Sequence, residues 1–346
     1  MKQLCLVTGG AGFLGINLIR YLLDRGYAVR SMDIAAFDYP EKPRVDVMQA
    51  DIRDAAAVQR AISGVDVVVH CAAALPRSTA AEIYSTDVEG THCLLEHAKE
   101  QRVTRFIFIS STAVYGIPDH HPLVETDRLH GVGPYGEAKL KAEGDCLAYR
   151  LDGLCVPILR PKSFVGPERL GAFELLYDWA YRGRNFPVLG SGNNLYQLLD
   201  VEDLCEVIHR CLRFDRDTVN HTFNVGAEKF GSLRASLQTV LDRAGHAKHV
   251  VSLPLTPAIL ALRILERLHL SPLSQWIYET AGRESFVSID HAAKRLKFVP
   301  RYSNRDALVR NYDWYVRHRQ EYRGRAGVTH RLPWKRGVLE VAGWLF

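Results

Sequence analysis

The sequence is short of the features that would mark it as a metal-bound, disulfide-bonded, membrane-spanning or polyanion-binding protein. Its seven cysteines form no Cys-x-x-Cys pair, which removes the usual spacing of a structural zinc site, and an odd number does not close into a disulfide framework. Cys5, Cys71 and Cys155 fall in apolar, strand-like runs where a thiol serves as a small hydrophobe, so a reducing, cytoplasmic compartment is expected. Arg263, Glu266 and Arg267 interrupt the longest candidate for a bilayer span. The N-terminus enters a strand-like run at once, so no leader peptide is expected. A net charge of +5 over 346 residues is too small to point to a nucleic acid partner. His120 and His121 adjoin Asp119 but have no third ligand near them, and no metal is assigned.

The rest is the composition of an ordinary globular protein, 47% hydrophobic and 24% charged, long enough for one large domain or two modest ones. Strand patterns over 4–7, 28–33, 45–50, 65–70, 106–110 and 156–159 alternate with helical patterns over 13–23, 55–62, 80–100 and 135–151. That alternation predicts an α/β protein with a doubly wound, Rossmann-like parallel sheet, its ligand crevice at the carboxyl ends of the strands. Beyond Arg160 the rhythm loosens into turn-rich stretches, helical pieces over 172–181 and 201–212, a short strand over 222–225 and a proline-punctuated segment over 254–272. The expected organisation is a dinucleotide-binding domain over 1–165, with returning pieces near 196–226. A smaller, discontinuous C-terminal substrate lobe takes 166–195 and 227–316, and a tail takes 317–346. The tail opens with Arg317, Arg319, Arg323, Arg325, Arg331, Lys335 and Arg336 against Glu321, and ends in an apolar run with Trp344 and Phe346. Packing on the body or on a partner subunit is expected of it; contact with an anionic membrane surface is the lesser alternative.

Three glycines set the chemistry. Gly9, Gly12 and Gly15 lie between an apolar strand and an amphipathic helix, where first-turn amides and the helix dipole can meet a pyrophosphate. Asp33 ends the second strand pattern, roughly 20 residues on, at the place of a ribose-binding carboxylate. A carboxylate there repels a 2′-phosphate, and Arg30 would point to the other side of the strand, so NAD is expected rather than NADP.

Tyr135 and Lys139 are four residues apart on a helix start, hence on one face. An ammonium beside a phenol favours the phenolate and makes the pair a general base. Ser111, directly after a strand, is the hydroxyl best placed to orient a substrate oxygen, with Ser110 and Thr112 as rivals.

Taken together these residues resemble a known family. Thr8 to Gly15, Asp33, Asp51-Ile52, His70 to Ala73, Ser111 with Val114-Tyr115-Gly116, Tyr135 with Lys139, Leu159-Arg160-Pro161 and Gly166-Pro167 occur in the order seen in the extended short-chain dehydrogenase/reductases. That group includes NAD-dependent sugar epimerases, dehydratases and hydroxysteroid-type dehydrogenases, and the likeness covers about residues 1–230. It implies that Gly9, Gly12, Phe13 and Leu14 cradle the pyrophosphate, that Asp33 holds the ribose, and that Asp51 and Ile52 contact the adenine. It further implies that Ala72 and Ala73 form the wall near the pyrophosphate and that Pro161 covers the nicotinamide. Tyr135 is implied as the acid/base, Lys139 as its electrostatic partner and ribose anchor, and Ser111 as the substrate-orienting hydroxyl. A homodimer paired through the helices over 80–100 and 135–151 is implied as well.

Departures from the family pattern narrow the reaction. Dehydratases carry Asp-Glu directly after the catalytic hydroxyl, where this chain has Thr112 and Ala113. Nucleotide-sugar enzymes usually have Asn at the position of Ser163 and an arginine near Tyr196, although Arg169, Arg182, Arg184 or Arg283 could serve instead. Asp87 stands where the family commonly has Asn. What remains is nearer the hydroxysteroid and dihydroflavonol reductases: an NAD-dependent oxidoreductase acting on a secondary alcohol or ketone of a small, apolar substrate. The leucine-rich stretch over 253–270 would suit a pocket wall or the packing of a lid helix. Lys162, after Pro161, is expected on the surface, with contact to the substrate as the alternative. A sugar 4-epimerase that retains its cofactor is the alternative within catalysis, and a non-catalytic dinucleotide sensor is the alternative outside it.

Overall fold

The computed structural model describes residues 2–76, 78–267 and 282–322. Its backbone divides into two compact units, one formed by Met1–Lys162, Val201–Gly226 and Val287–Pro300, the other by Ser163–Asp200, Ala227–Phe286 and Arg301–Phe346.

The first unit is built on β1 (Leu4–Thr8), β2 (Ala28–Asp33), β3 (Asp46–Gln49), β4 (Val67–His70), β5 (Arg105–Ile109), β6 (Ile158–Pro161) and β7 (Thr222–Val225). All seven strands are parallel, in the order β7-β6-β5-β4-β1-β2-β3. Such a sheet must be covered on both faces, which explains why the Val-Val-Val-His run of β4 is buried throughout rather than alternating. The cover consists of α1 (Phe13–Asp24), α2 (Ala55–Ile62), α3 (Ala80–Tyr84), α4 (Gly90–Glu100), α5 (Gly133–Leu151), α6 (Val201–Arg213) and α7 (Asp290–Leu296). Leu6, Val68, Leu94, Leu95, Phe106, Phe108, Cys146 and Ile158 meet in one core cluster. The strand order reverses between β1 and β4, so the crevice opens beyond their carboxyl ends. The doubly wound sheet expected from the alternation of elements is the one observed.

Two local features position the chemistry. Four helices that feed the amino ends of strands stop in the same way, with Gly26, Gly64, Arg102 and Gly153 in positive φ two residues past α1, α2, α4 and α5. The helix expected over 80–100 is interrupted: α3 starts at a Thr79–Glu82 capping box, passes through a π turn over Ser85–Glu89, and only then continues as α4.

In the second unit, strand Phe186–Leu189 pairs in parallel with Val250–Leu253. Helices Ala172–Tyr181, Leu233–Ala244 and Asn304–His318 surround a core that includes Tyr177, Leu241, Leu308 and Tyr315. The leucine-rich stretch forms helix Leu255–Arg267, on which Leu260 and Ile264 are exposed. Its continuation to 270 and the tail from 323 to 346 lie outside the described residues.

Candidate active site

The turn after β1 is shaped by lack of room. Gly9 adopts φ +68°, and a Cβ on it would come within 2.7 Å of the Ala72 amide nitrogen, so β1 and the segment after β4 can touch only through glycine. Gly15 lies against the Gly9 carbonyl and Gly10 with no space for a side chain. The Gly9 carbonyl accepts from Gly12 N–H at 3.0 Å, which closes the loop. Helix α1 then starts at Gly12 with no side-chain cap, the kind of helix start that an anion completes. Phe13 and Leu14 are buried with the core of α1, so any contact they make with a pyrophosphate is through the main chain.

Asp33 ends β2 with its carboxylate held in place. Oδ2 accepts from Ala11 N–H at 2.9 Å and Oδ1 from Ala35 N–H at 2.8 Å, tying the acid to the glycine loop. Arg30 projects away from it and pairs with Asp46 at 2.6 Å, as the alternation of the strand requires. Asp51 is paired with Arg53 at 2.5 Å, which holds its carboxyl below the usual range, chiefly through their hydrogen bond. Ile52 turns its side chain into the core, against Gly90. Ala72 N–H donates to Thr8 Oγ1 at 3.3 Å, and Ala73 follows it at the exposed edge. A glycine cradle without space for side chains, an uncapped helix start and an anchored carboxylate together fit the diphosphate and diol of NAD.

Behind this loop runs a chain of buried polar contacts that was not foreseen from the sequence. The Thr91 hydroxyl donates to the Asp87 carbonyl at 2.7 Å, so it can only accept from His70 Nε2 at 2.9 Å. His70 Nδ1 is therefore the acceptor for the Thr8 hydroxyl at 2.7 Å. Burial, helped by the Lys139 charge, pushes the His70 pKa down to about 3 and keeps the ring neutral.

The candidate reacting groups gather at the carboxyl end of β5. Ser111 follows the strand, and its Oγ accepts from Ala113 N–H at 3.1 Å, capping a 3-10 turn over Thr112–Tyr115. An Oγ engaged as acceptor keeps its own proton to donate. The rival Ser110 is buried and donates its proton to Glu143 Oε1 at 2.5 Å. Tyr135 and Lys139 lie on one face of α5, with the Lys139 Nζ 5.9 Å from the centre of the Tyr135 ring and 5.2 Å from that of Phe108. Lys139 is 2% exposed; its Nζ donates to the Ile109 carbonyl at 3.4 Å and faces Asp87 Oδ2 at 3.7 Å. Burial works against the ammonium, but Asp87, then Tyr135 and Cys146, outweigh it and lift the lysine above its ordinary range.

Four residues beyond Lys139 on α5, Glu143 anchors a second buried network. Arg160 of β6 donates to it with Nε at 2.9 Å and Nη2 at 2.6 Å, and donates Nη1 to the Tyr115 hydroxyl at 2.9 Å. Tyr115 in turn donates to Asn224 Oδ1 at 2.8 Å. The i, i+4 spacing of Tyr135, Lys139 and Glu143 was the available signal for this residue. Pro161 closes β6, and the next residue corrects an expectation: Lys162 is buried, not on the surface, and burial pushes its pKa down to about 7.

In the second unit Tyr196 bonds Ser163, Arg169 lies over the rings of Phe164 and Phe173, and Arg182 pairs with Asp178 at 2.9 Å. His120 sits between Asp119 and Asp127, and no cluster of metal-ligating side chains occurs among the described residues. No helix of the described residues is long and apolar enough to cross a membrane.

Comparison with known proteins matches residues 5–226 to the family described as NAD dependent epimerase/dehydratase. The chain is 34% identical over 338 residues to an uncharacterized protein of Sinorhizobium fredii, covering 97% of this chain and 84% of that one. It is 32% identical over 330 residues to the low-salt glycan biosynthesis protein Agl12 of Haloferax volcanii, covering 90% and 98%. Among solved structures, an epimerase from Methanothermobacter thermautotrophicus superposes with a TM-score of 0.80 at 24% identity, covering 94% and 95%, a likeness of fold.

Proposed function

The chain belongs to the NAD dependent epimerase/dehydratase family, and from that premise we propose that it is an oxidoreductase of the extended short-chain type, acting at a secondary alcohol or ketone carbon of a small molecule. When bound, NAD supplies the hydride acceptor or donor. Gly9, Gly12 and the start of α1 would hold its pyrophosphate, and Asp33 its adenosine ribose. Ser111 donates its hydroxyl hydrogen to the substrate oxygen and fixes its direction. Tyr135 takes the alcohol proton in oxidation and returns it in reduction, and Lys139 steadies the phenolate between the two. The observation that carries this reading is the ammonium of Lys139, buried at the carboxyl end of β5 with its Nζ 5.9 Å from the Tyr135 ring.

Thr112 and Ala113 supply no carboxylate next to Ser111, so dehydration is not proposed. Tyr84 and Leu151, exposed on α3 and α5, support a homodimer paired through these helices. A second reading, a sugar 4-epimerase, is favoured by the likeness to a glycan biosynthesis protein over 98% of its length. Reduced nicotinamide absorbance separates the two: it changes steadily with turnover in a dehydrogenase and returns to baseline in an epimerase. In either case Tyr135→Phe should lower turnover by about 10²–10⁴-fold while the NAD dissociation constant stays within about twofold. Retained turnover would move the acid/base role to another residue.

A further inference from the structure

The connection from β2 to β3, residues 34–45, is fastened to the glycine loop by a tyrosine. Its residues are exposed or half-buried except for two, Phe37 and Tyr39, which are 3% and 8% exposed. Their rings meet at 4.9 Å, and the Arg20 guanidinium of α1 lies 5.6 Å from the centre of the Tyr39 ring while it pairs with Glu41 at 2.8 Å. The Tyr39 carbonyl accepts from Lys42 N–H at 3.0 Å as the chain enters a 3-10 turn over Lys42–Arg44. Ring and backbone are thus fixed in direction, and the Tyr39 hydroxyl donates to the Ala11 carbonyl at 2.9 Å.

Ala11 and Gly12 are where the glycine loop turns into α1. Ala11 N–H donates to Asp33 Oδ2 at 2.9 Å, Gly12 N–H donates to the Gly9 carbonyl at 3.0 Å, and the Gly12 carbonyl accepts from Ile16 N–H at 3.0 Å. The Ala11 carbonyl and the Gly12 N–H belong to one planar peptide, so Tyr39 and Gly9 hold that plane from opposite ends. Three of the four residues from Gly9 to Gly12 are glycine, which leaves the backbone other conformations to visit. The direction of this peptide decides where the amides that follow it in α1 point.

We propose that Tyr39 is a positioning residue for the cofactor's diphosphate: its hydroxyl holds the Ala11–Gly12 peptide in the orientation that aims the first amides of α1 at the pyrophosphate. The inference rests on the reading of Gly9, Gly12 and the start of α1 as the pyrophosphate site. A loop that keeps its binding shape for only part of the time binds more weakly in proportion to that fraction. Removing the hydroxyl therefore weakens ligands that carry the diphosphate and spares those that end at the nucleoside.

The test is Tyr39→Phe in the full-length protein, which keeps the ring against Phe37 and removes only the hydroxyl. Titration calorimetry measures NAD and ADP-ribose directly and adenosine as a competitor of ADP-ribose, and amide hydrogen exchange follows residues 9–16 with and without NAD. The NAD and ADP-ribose dissociation constants should both rise by about 3–10-fold, the worth of one hydrogen bond, while that of adenosine stays in place. Exchange over 9–16 should quicken in the ligand-free variant and return to the wild-type rate under saturating NAD, with α2 and α5 unaltered. Unchanged NAD affinity, or unchanged exchange over 9–16, overturns the proposal. Adenosine weakened as much as ADP-ribose also overturns it, because the phenol would then act on the adenosine half. Wild-type protein that binds ADP-ribose no more tightly than adenosine overturns the pyrophosphate reading instead, so the two failures are distinct.

Discussion

Truncating Glu143 to alanine isolates the cost of stranding a buried charge. Arg160 and Glu143 are 4% and 1% exposed and share bonds of 2.6, 2.9 and 3.2 Å. Glu143→Ala leaves the guanidinium with only the Tyr115 hydroxyl and the Glu125 carbonyl, a situation that costs about 3–5 kcal/mol. Ser110 loses its acceptor too, adding about 1 kcal/mol. At an m-value of about 3 kcal/mol/M the urea midpoint should fall by roughly 1.3–2 M. Unfolding should be followed by far-ultraviolet circular dichroism, because Trp179 and Trp314, the tryptophans among the described residues, belong to the other unit. Replacing both partners, Glu143→Met with Arg160→Met, should recover at least about half of the loss, since neither charge is then left unpaired. A single variant within about 1 kcal/mol of wild type, or a double variant worse than the sum of the singles, would refute the reasoning.

Two further outcomes follow from the cofactor loop and its backing. Asp33→Ala should weaken NAD binding by about 10–100-fold, the worth of charge-assisted hydrogen bonds, and relax discrimination against NADP; an unchanged ratio of the two dissociation constants by titration calorimetry would reject the ribose role. His70 is depressed from 6.5 to about 3 in the fold, so between those values the unfolded chain binds more protons. Its contribution is complete above pH 6.5 and is lost as pH falls toward 3, by about 4–5 kcal/mol in all. His70→Gln should flatten that part of the stability–pH curve, and an unaltered slope in urea titrations from pH 6.5 to 4 would count against it.

The sheet was legible because parallel strands announce themselves as short apolar runs between helical periods. The strand over 222–225 and the helix over 172–181 occur where their patterns lie. The glycine loop was legible because its constraint is local: Gly9 to Gly15 is one turn. What escaped was what depends on distant partners. Ser110, Glu143 and Arg160 are separated by 33 and 17 residues, and nothing around Ser110 indicates that its hydroxyl is already committed. The π turn escaped because one surplus residue does not erase an apolar face over a helix as long as 80–100. Lys162 was misplaced because a lysine is seldom deeply buried, and only the neighbours of β6 decide otherwise.

With all seven strands pointing the same way, the first unit has two rims of different use. One receives the segments that leave the strands: the glycine loop, Asp33, Ala72, Ser111 and Pro161. The other collects the returns from the helices, marked by Gly26, Gly64, Arg102 and Gly153, and added Cβ atoms at Gly26, Gly64 and Gly153 would meet open space. That second rim is an anchoring side: a fluorophore, a fused partner or a surface tether attached beside Gly64 leaves the reactive rim facing outward and undisturbed.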